Sequence, residues 1–258
     1  MNKISLFLDS GAFSAWSKGA EINIQEYINF IKKYKNQIDV YSVLDDIKDP
    51  VKTLENQKIM EAAGLDPLPC YHYGEDEKYL ERYIAEYDYV ALGGMVPVSS
   101  KDLQLWLDRI FADYICDSSG IPKTKIHGFG MTAFRLIRRY PWWSVDSTSW
   151  IMTSRMGGVW IPQFKNGKWV YNVDPLKIQI SNKSPKKEVS GQHYDTLNPS
   201  VQKLILKYIK MKGFDLQGLQ DKYIQRDLLN LEYCKDLEKA QPEYPWPFVC
   251  KGMRGFDL

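Results

Sequence analysis

The chain has 258 residues, of which 44% are hydrophobic, 14% aromatic and 26% charged. This composition is typical of a globular protein and excludes the collagen-like, disordered and coiled-coil classes. A formal charge of +2 neither requires nor excludes a nucleic-acid partner. We expect no membrane span, because no apolar run approaches the roughly 20 residues that a span needs. We also expect no secretory signal, because the apolar run that ends at Asp9 is too short for one and lacks a cleavage site. The four cysteines lie far apart without a CxxC pair, so we expect a protein of the reducing cytoplasm.

The first two-thirds of the chain alternates short apolar runs with amphipathic helices. The runs that predict strands lie at 4–8, 40–44, 68–74, 89–94, 125–130 and 143–147, and the predicted helices lie at 24–34, 50–63, 75–87, 101–115 and 133–139. Six such repeats indicate βα units and a mainly parallel α/β sheet. An open doubly wound sheet and a closed (β/α)8 TIM-like barrel both satisfy this pattern. The first turn lacks the GxGxxG of a dinucleotide site, so we favour the barrel.

The pattern changes after residue 154. Two β-rich runs between 158 and 171 are joined by Asn166-Gly167, which predicts a hairpin. A further apolar run at 176–180 predicts a strand, and together these segments could complete the barrel. Helical patterns follow at 201–211 and 219–240. We therefore expect a single domain, with the barrel and a basic hairpin insertion over residues 1–200 and a C-terminal helical extension packed on it over 201–258.

Acidic side chains follow several predicted strands. Asp9 and Asp146 each come directly after a strand, near the two ends of the βα series. Two carboxylates across a pocket are the minimum set for displacement at a sugar anomeric carbon. Alternatively, an aspartate in this position caps the next helix or forms an Asx turn. The adjacent pair Asp45 and Asp46 has the same two interpretations, but if one caps, the other is expected to face the barrel mouth.

Glycines and aromatic residues also lie at strand ends. Gly93, Gly94 and Gly130 would let the backbone approach a flat ligand closely, although simple turn geometry explains each of them equally well. Phe13 and Trp150, which we place in turns after strands, are positioned to stack on a purine.

Two of the three histidines, His72 and His127, also fall at strand ends. We expect them to be hydrogen-bonded walls of the pocket. With Asp9 or Asp45 as a further ligand they could instead hold a metal ion for hydrolysis, and this alternative stays open.

A set of cations could form a basic rim on the same face. Phosphates would bind to this rim while carboxylates inside perform the chemistry on a flipped base. A solvated charged surface is the alternative for each of them. The residues are Arg135, Arg138, Arg139, Arg155, Lys165 and Lys168.

Six short motifs follow one another along residues 4–155: Leu8-Asp9-Ser10-Gly11-Ala12-Phe13, Leu44-Asp45-Asp46, Tyr71-His72-Tyr73-Gly74, Leu92-Gly93-Gly94-Met95, Phe129-Gly130-Met131 and Val145-Asp146-Ser147. In this order they resemble the guanine transglycosylase family, and in particular the short phage and bacterial DNA-guanine transglycosylases of the DpdA type. The resemblance implies a (β/α)8 barrel that exchanges guanine for a 7-deazaguanine by double displacement, without a cofactor.

The resemblance also implies roles for individual residues. Asp146 matches the nucleophile that attacks the sugar C1′ and holds it covalently, and Asp9 matches the general acid and base. Asp45 matches the carboxylate that binds the N–H edge of guanine. The full set expected to bind substrate is Ser10, Phe13, Asp45, Asp46, His72, Gly93, Gly94, His127, Gly130, Met131 and Trp150.

The chain also departs from the tRNA-modifying members of that family. His72 stands where they have glutamine, and their zinc-binding CxCxxC…His pattern is absent. We therefore expect DNA rather than tRNA as the partner, no metal, and guanine and a 7-deazaguanine base as the small-molecule substrates. The alternatives are a tRNA-guanine transglycosylase, a barrel glycoside or N-glycoside hydrolase that uses the same carboxylates with water, and a non-catalytic nucleic-acid-binding barrel.

Overall fold

The computed structural model describes residues 5–250, so residue 4 of the first predicted strand and residues 251–258 lie outside the described chain. Ten strands are assigned within it. They are β1 (Phe7–Leu8), β2 (Val40–Tyr41), β3 (Cys70–His72), β4 (Tyr89–Gly93), β5 (Lys125–Gly128), β6 (Ser144–Val145), β7 (Gly158–Ile161), β8 (Gln163–Lys165), β9 (Lys168–Val170) and β10 (Leu176–Gln179).

Ten α-helices accompany these strands. They are α1 (Ala12–Ser17), α2 (Ile24–Tyr34), α3 (Pro50–Ala62), α4 (Glu77–Glu86), α5 (Ser100–Ile110), α6 (Phe134–Arg139), α7 (Ser149–Arg155), α8 (Pro199–Met211), α9 (Leu216–Asp221) and α10 (Tyr223–Lys239). A π-helical turn, Phe111–Ile115, continues α5. Side-chain caps fix several helix starts: the Asn23 side chain accepts two backbone N–H groups at the start of α2, and Asp49 does the same for α3.

The first six strands are parallel and follow chain order. β1 pairs with β2, and β3 to β6 form one sheet in the order β3-β4-β5-β6. A parallel bridge between Ser42 and Leu68 continues the order from β2 to β3. The prediction of a mixed α/β protein with a mainly parallel sheet is confirmed. Within residues 5–250, no pairing joins β6 to β1, so the pairings do not close a ring.

The strands after residue 155 are antiparallel. β8 and β9 form the hairpin predicted at Asn166-Gly167, and both residues have the positive φ angles of a tight turn. β10 pairs with β7 in antiparallel register. Their antiparallel pairing follows from connections too short to hold a crossover helix, which parallel neighbours need. Within residues 5–250 no pairing joins these segments to the six parallel strands, so their part in completing a barrel stays a prediction.

The chain forms two compact units. Within the described residues, unit 1 comprises 5–131, 140–146 and 244–250, and unit 2 comprises Thr132–Arg139 and Ser147–Glu243. This division differs from the single domain with a boundary at residue 200 that the sequence suggested. Helices α8 and α10 share one core with β7 and β10, so the hairpin region and the C-terminal helices belong to the same unit.

Each unit has its own apolar core. In unit 1, Ile28 and Ile31 of α2 and Met60 of α3 are almost fully buried against the first strands. In unit 2, Ile205 and Tyr208 of α8 are buried together with the inner face of β7. No helix among residues 5–250 combines the length and the apolar character needed to cross a membrane.

Candidate functional site

The polar residues predicted to be functional lie at one edge of the parallel strands in unit 1. Asp9 directly follows β1, Asp146 follows β6 and Asp45 lies beyond β2, while His72 and Gly93 are the last residues of β3 and β4. Because neighbouring parallel strands point the same way, their carboxyl ends share an edge. The mouth, as we call this edge, is defined by Asp9, Asp45, His72, Gly93 and Asp146.

Asp9 lies among other carboxylates at the mouth. The residue is exposed, yet protein atoms surround part of its carboxyl group. This partial loss of water is the largest cause that raises the pKa of Asp9, and repulsion by Asp45 and Asp146 raises it further. Backbone N–H groups of Gly11 and Ser10 act in the opposite direction but do not cancel the rise. A carboxyl group with a raised pKa is better suited to donate a proton.

Asp146 is held by one oxygen and accessible at the other. Its Oδ1 accepts the backbone N–H of Gly130 at 2.7 Å. The Nε2 atom of His127 lies 3.6 Å from the same oxygen. Half of the Asp146 side chain is exposed, and Oδ2 makes no hydrogen bond within residues 5–250. The carboxylate is therefore oriented while a free oxygen remains available to an incoming ligand.

His127 is fixed from its other side. Its Nδ1 lies 2.6 Å from Ser144 Oγ, which in turn contacts the Tyr89 hydroxyl at 2.5 Å. Its ring stacks on Phe7 of β1 with the centroids 4.4 Å apart. Its Nε2 is buried without a hydrogen bond and faces Asp146. The ring is therefore rigidly placed beneath that carboxylate.

A second series of polar side-chain contacts links the segments that follow β1 and β2 to β3. Ser10 Oγ donates to Asp45 Oδ1 at 2.8 Å, and Asp45 Oδ2 lies 3.0 Å from His72 Nε2. Glu75 Oε1 lies 3.0 Å from His72 Nδ1, and Glu75 Oε2 accepts the His72 backbone N–H. Burial disfavours the charged imidazole, but contacts with Cys70, Asp45 and Glu75 outweigh it and raise the pKa of His72.

Cys70 and Gly93 lie beside this histidine. The Cys70 Sγ atom is 3.5 Å from His72 Nε2, and burial raises the pKa of the Cys70 thiol to about 11. A Cβ atom on Gly93 would lie only 2.6 Å from His72 Cδ2 and 2.9 Å from Cys70 Sγ. Gly93 is buried against these side chains, so its lack of a side chain makes room for them rather than for a base.

The two adjacent aspartates have different surroundings. Asp46 Oδ1 accepts the backbone N–H groups of Lys48 and Asp49, and Asp46 Oδ2 lies 3.2 Å from Lys52 Nζ. Asp46 therefore forms an Asx turn at the start of α3. Asp45 instead makes the contacts with Ser10 and His72.

A cleft of about 330 Å³ opens beside Asp45 and Asp46. This volume lies at the lower end of the range of small-molecule sites. Apolar side chains of α1 form one wall and polar side chains at the start of α3 form another. The lining includes Ala12, Ala15, Trp16, Ile22, Leu44, Asp45, Asp46, Lys52 and Asn56.

Several predicted base-binding residues lie elsewhere than expected. Phe13 is half exposed but belongs to α1 rather than a turn, and Met131 is only 1% exposed, so it offers almost no surface for stacking. Gly94 is exposed with a positive φ of 66°. Trp150 lies in α7 and packs against the aromatic core of unit 2 around Trp160. The sequence could not predict these placements, since short helices α1 and α7 depend on tertiary packing.

The predicted cations all lie in unit 2. Arg155, Lys165 and Lys168 are exposed, and so is Arg135. Arg138 donates to Asp174 Oδ1 at 2.6 Å and is partly buried, as is Arg139. The negative charge of Asp174 partly offsets the positive charge of Arg138, so Arg138 would attract a phosphate less strongly.

The sequence patterns do not predict a functional role for four residues that the structure places at the mouth or in the cleft. These residues are Cys70, Glu75, Lys52 and Asn56. Cys70 and His72 occupy alternate positions of one strand and so lie on one face, which was the available signal. Searches of protein-family models, curated protein sequences and solved structures find no match to this chain.

Proposed function

We propose that this protein is a guanine transglycosylase that exchanges guanine in DNA for a 7-deazaguanine base by double displacement. The observation that carries the proposal is the convergence of Asp9 and Asp146, from opposite ends of the six-strand series, closely enough for the charge of Asp146 to raise the pKa of Asp9. Paired carboxylates of this kind suit displacement at an anomeric carbon.

We propose that the six parallel strands are most of a (β/α)8-type barrel with irregular closing strands. Phe7 of β1 stacks on His127 of β5, although β2, β3 and β4 separate these strands in the order. A flat sheet would hold β1 and β5 about 19 Å apart, at roughly 4.8 Å per strand. The contact between the two rings therefore supports a strongly curved sheet, with the active site at its carboxyl edge.

In the first displacement, Asp146 Oδ2 attacks the sugar C1′ of a flipped guanosine. The N-glycosidic bond breaks, its electron pair goes to the base, and the proton of Asp9 neutralises the leaving guanine. In the second, Asp9 takes the N–H proton of the incoming 7-deazaguanine, whose ring nitrogen attacks C1′ and releases the Asp146 carboxylate. One N-glycoside replaces another, so the protein supplies position and charge stabilisation rather than driving force.

The cleft beside α1 is our candidate for base recognition. The carboxylates of Asp45 and Asp46 would accept the N–H edge of guanine, and Trp16 offers an aromatic face on the same cleft. Both carboxylates already accept hydrogen bonds, Asp45 from Ser10 and His72 and Asp46 from its Asx turn, so each would bind the base through a remaining lone pair. The exposed cations Arg155, Lys165 and Lys168 are proposed phosphate contacts.

Cys70, Cys116 and Cys234 are free thiols, which supports the cytoplasm, of the host cell for a phage protein, as the site of action.

The test is exchange of radiolabelled guanine into DNA and into tRNA, assayed side by side, with trapping of a covalent adduct. We expect incorporation into DNA, an exchange rate at least about 1,000-fold lower in Asp146→Asn, and an adduct located at Asp146. The matched control is Asp66→Asn, because Asp66 is an exposed aspartate in the segment before β3, away from the mouth. Substantial exchange by a folded Asp146→Asn protein refutes the assignment of Asp146 as the nucleophile. Incorporation into tRNA alone means that tRNA, and not DNA, is the substrate.

Hydrolysis of the glycosidic bond is the second candidate. The half-exposed Asp146 carboxylate leaves room for water to reach the same centre. Incubation with guanine-containing DNA and no incoming base separates the two reactions. A transglycosylase releases little free guanine under these conditions, whereas a hydrolase releases it continuously.

A further inference from the structure

Three metal-ligating side chains of different types converge at the mouth. Asp45, Cys70 and His72 each offer a ligand atom, and these atoms all lie within 4.8 Å of one another. We propose that this triad binds one divalent transition-metal ion, with Zn²⁺ as the best fit. The proposal goes beyond base exchange and does not depend on it, since it concerns ion binding by the free protein.

The distances within the triad suit a tetrahedral ion. With ordinary zinc–ligand bond lengths, tetrahedral geometry puts nitrogen and oxygen ligands about 3.3 Å apart and sulfur and nitrogen ligands about 3.6 Å apart. His72 Nε2 lies 3.0 Å from Asp45 Oδ2 and 3.5 Å from Cys70 Sγ. Small movements of the side chains would therefore admit the ion without rearrangement of the strands.

A hydrogen bond explains only part of this arrangement. The Nε2 atom of His72 carries at most one proton, which can point to Asp45 or to Cys70 but not to both. A cation at the centre satisfies all three atoms at once, and it takes the place of the protons on Sγ and Nε2, which pass to solvent. A thiolate, an imidazole and a carboxylate form a donor set that zinc accepts.

The surroundings orient the donors as they do in metal sites. Glu75 Oε1 lies 3.0 Å from His72 Nδ1, which fixes the ring with Nε2 facing the other two donors. Ser10 Oγ donates to Asp45 Oδ1 and leaves Oδ2 for the ion. All three donors are shielded from bulk solvent: Cys70 is 1% exposed, and the His72 and Asp45 side chains are 5% and 12% exposed.

Backbone geometry provides the space. Cys70 and His72 alternate along β3 and so project from one face, while Asp45 comes from the segment after β2. On β4, the absence of a side chain at Gly93 leaves room for both sulfur and imidazole. Three protein ligands leave a fourth position of a tetrahedral ion open to water or to a ligand atom.

The first experiment measures metal bound to the full chain. The protein is stripped with a chelator, dialysed against Zn²⁺ and then against metal-free buffer, and its zinc content is measured by mass spectrometry. We expect one zinc per chain. Cys70→Ser, Asp45→Asn and His72→Gln should each lose it, whereas Cys116→Ser and Cys234→Ser should keep it, since these cysteines lie outside the triad.

Spectroscopy identifies the ligands directly. With Co²⁺ in place of Zn²⁺, we expect tetrahedral d–d bands together with a thiolate-to-cobalt charge-transfer band that disappears in Cys70→Ser. The variant Glu75→Gln keeps all three ligands and should weaken Zn²⁺ binding by about 10- to 100-fold, because Glu75 only orients the imidazole.

Far-ultraviolet circular dichroism establishes that each variant is folded, and Glu75→Gln and Asp45→Asn keep the test decisive if Cys70→Ser does not fold. The proposal is overturned if the wild-type protein retains no stoichiometric metal. It is equally overturned if Co²⁺ binds without a charge-transfer band. In either case the triad is an imidazole–carboxylate pair with a neighbouring thiol.

Discussion

Asp9 and Asp117 show, at the scale of single residues, how position sets the sign of a pKa shift. The pKa of Asp9 is raised by partial loss of water and by the nearby carboxylates. The pKa of Asp117 is lowered by hydrogen bonds from the Ser119 side chain and from backbone N–H groups of Ser119 and Ile121. The first arrangement disfavours a charge and the second stabilises one.

The two carboxyl groups should therefore change stability in opposite directions with pH. A raised folded-state pKa contributes stability below the unfolded value, about 3.9, and that stability is lost as pH rises through the folded pKa. Asp9→Asn should raise the melting temperature at pH 7.5, with a gain that shrinks toward pH 4. Asp117→Asn should lower the melting temperature at pH 7.5, with a loss that also shrinks on acidification, because a lowered pKa stabilises the fold above about 3.9. Melting curves between pH 4 and 8 test both signs, and a stability loss in Asp9→Asn at pH 7.5 contradicts the account.

Individual site residues differ in how far sequence could predict them. Asp9 and Asp146 were recognisable because a polar residue after an apolar run marks a strand end, which is a local property. The burial of Met131 and the packing of Trp150 depend on residues distant in sequence, so no local pattern could reveal them. The alternation of Cys70 and His72 along one strand is a local signal, but their convergence with Asp45 becomes visible only once β2 and β3 are placed side by side.

At the scale of elements, α3 positions the residues next to Asp45 and Asp46. Its first turn depends on Asp49, whose side chain accepts the N–H groups of Val51 at 2.9 Å and Lys52 at 3.3 Å. Asp49→Ala should cost about 1 kcal/mol in the free energy of unfolding, because those donors lose their partner. Urea denaturation measures this loss, and Asp66→Ala, which removes an exposed aspartate that caps no helix, should stay within about 0.5 kcal/mol.

If Asp49→Ala lowered the free energy of unfolding no more than Asp66→Ala does, packing alone would fix the start of α3.

The helices α2 and α3 were predictable from sequence because their caps and apolar spacing are local signals. The helices α1 and α7 were not predicted. Each has fewer than eight residues, too few to form without tertiary support, and neither has a side-chain cap.

At the scale of the whole molecule, the last described residues return to unit 1. Phe248 is 6% exposed and packs against Phe111 and Tyr140, with centroids 5.8 and 5.1 Å away. Phe248→Ala should cost about 3 kcal/mol or more, the usual range for removing a buried aromatic ring. Val249→Ala is the matched control, because Val249 is 69% exposed and should change stability by less than about 0.5 kcal/mol. Chemical denaturation of both variants makes the comparison, and equal stabilities would contradict this packing.

The alternation of strands and helices was enough to predict an α/β protein with parallel strands in chain order. It could not predict the antiparallel pairing of β7 with β10, because strand direction depends on which segments meet in space. The two units were also not predictable from local patterns, because the chain passes from one unit to the other four times, at 131/132, 139/140, 146/147 and 243/244.

The return of residues 244–250 to unit 1 has a consequence for biosynthesis. Translation delivers residues 5–131 of this unit first, yet Gly120 and Phe111 can contact Phe248 only after all of unit 2 has been synthesised. Unit 2, apart from α6, is a continuous stretch and can be completed first. Released chains truncated after residue 243 should therefore contain a finished second unit, together with a first unit that is still vulnerable to proteases.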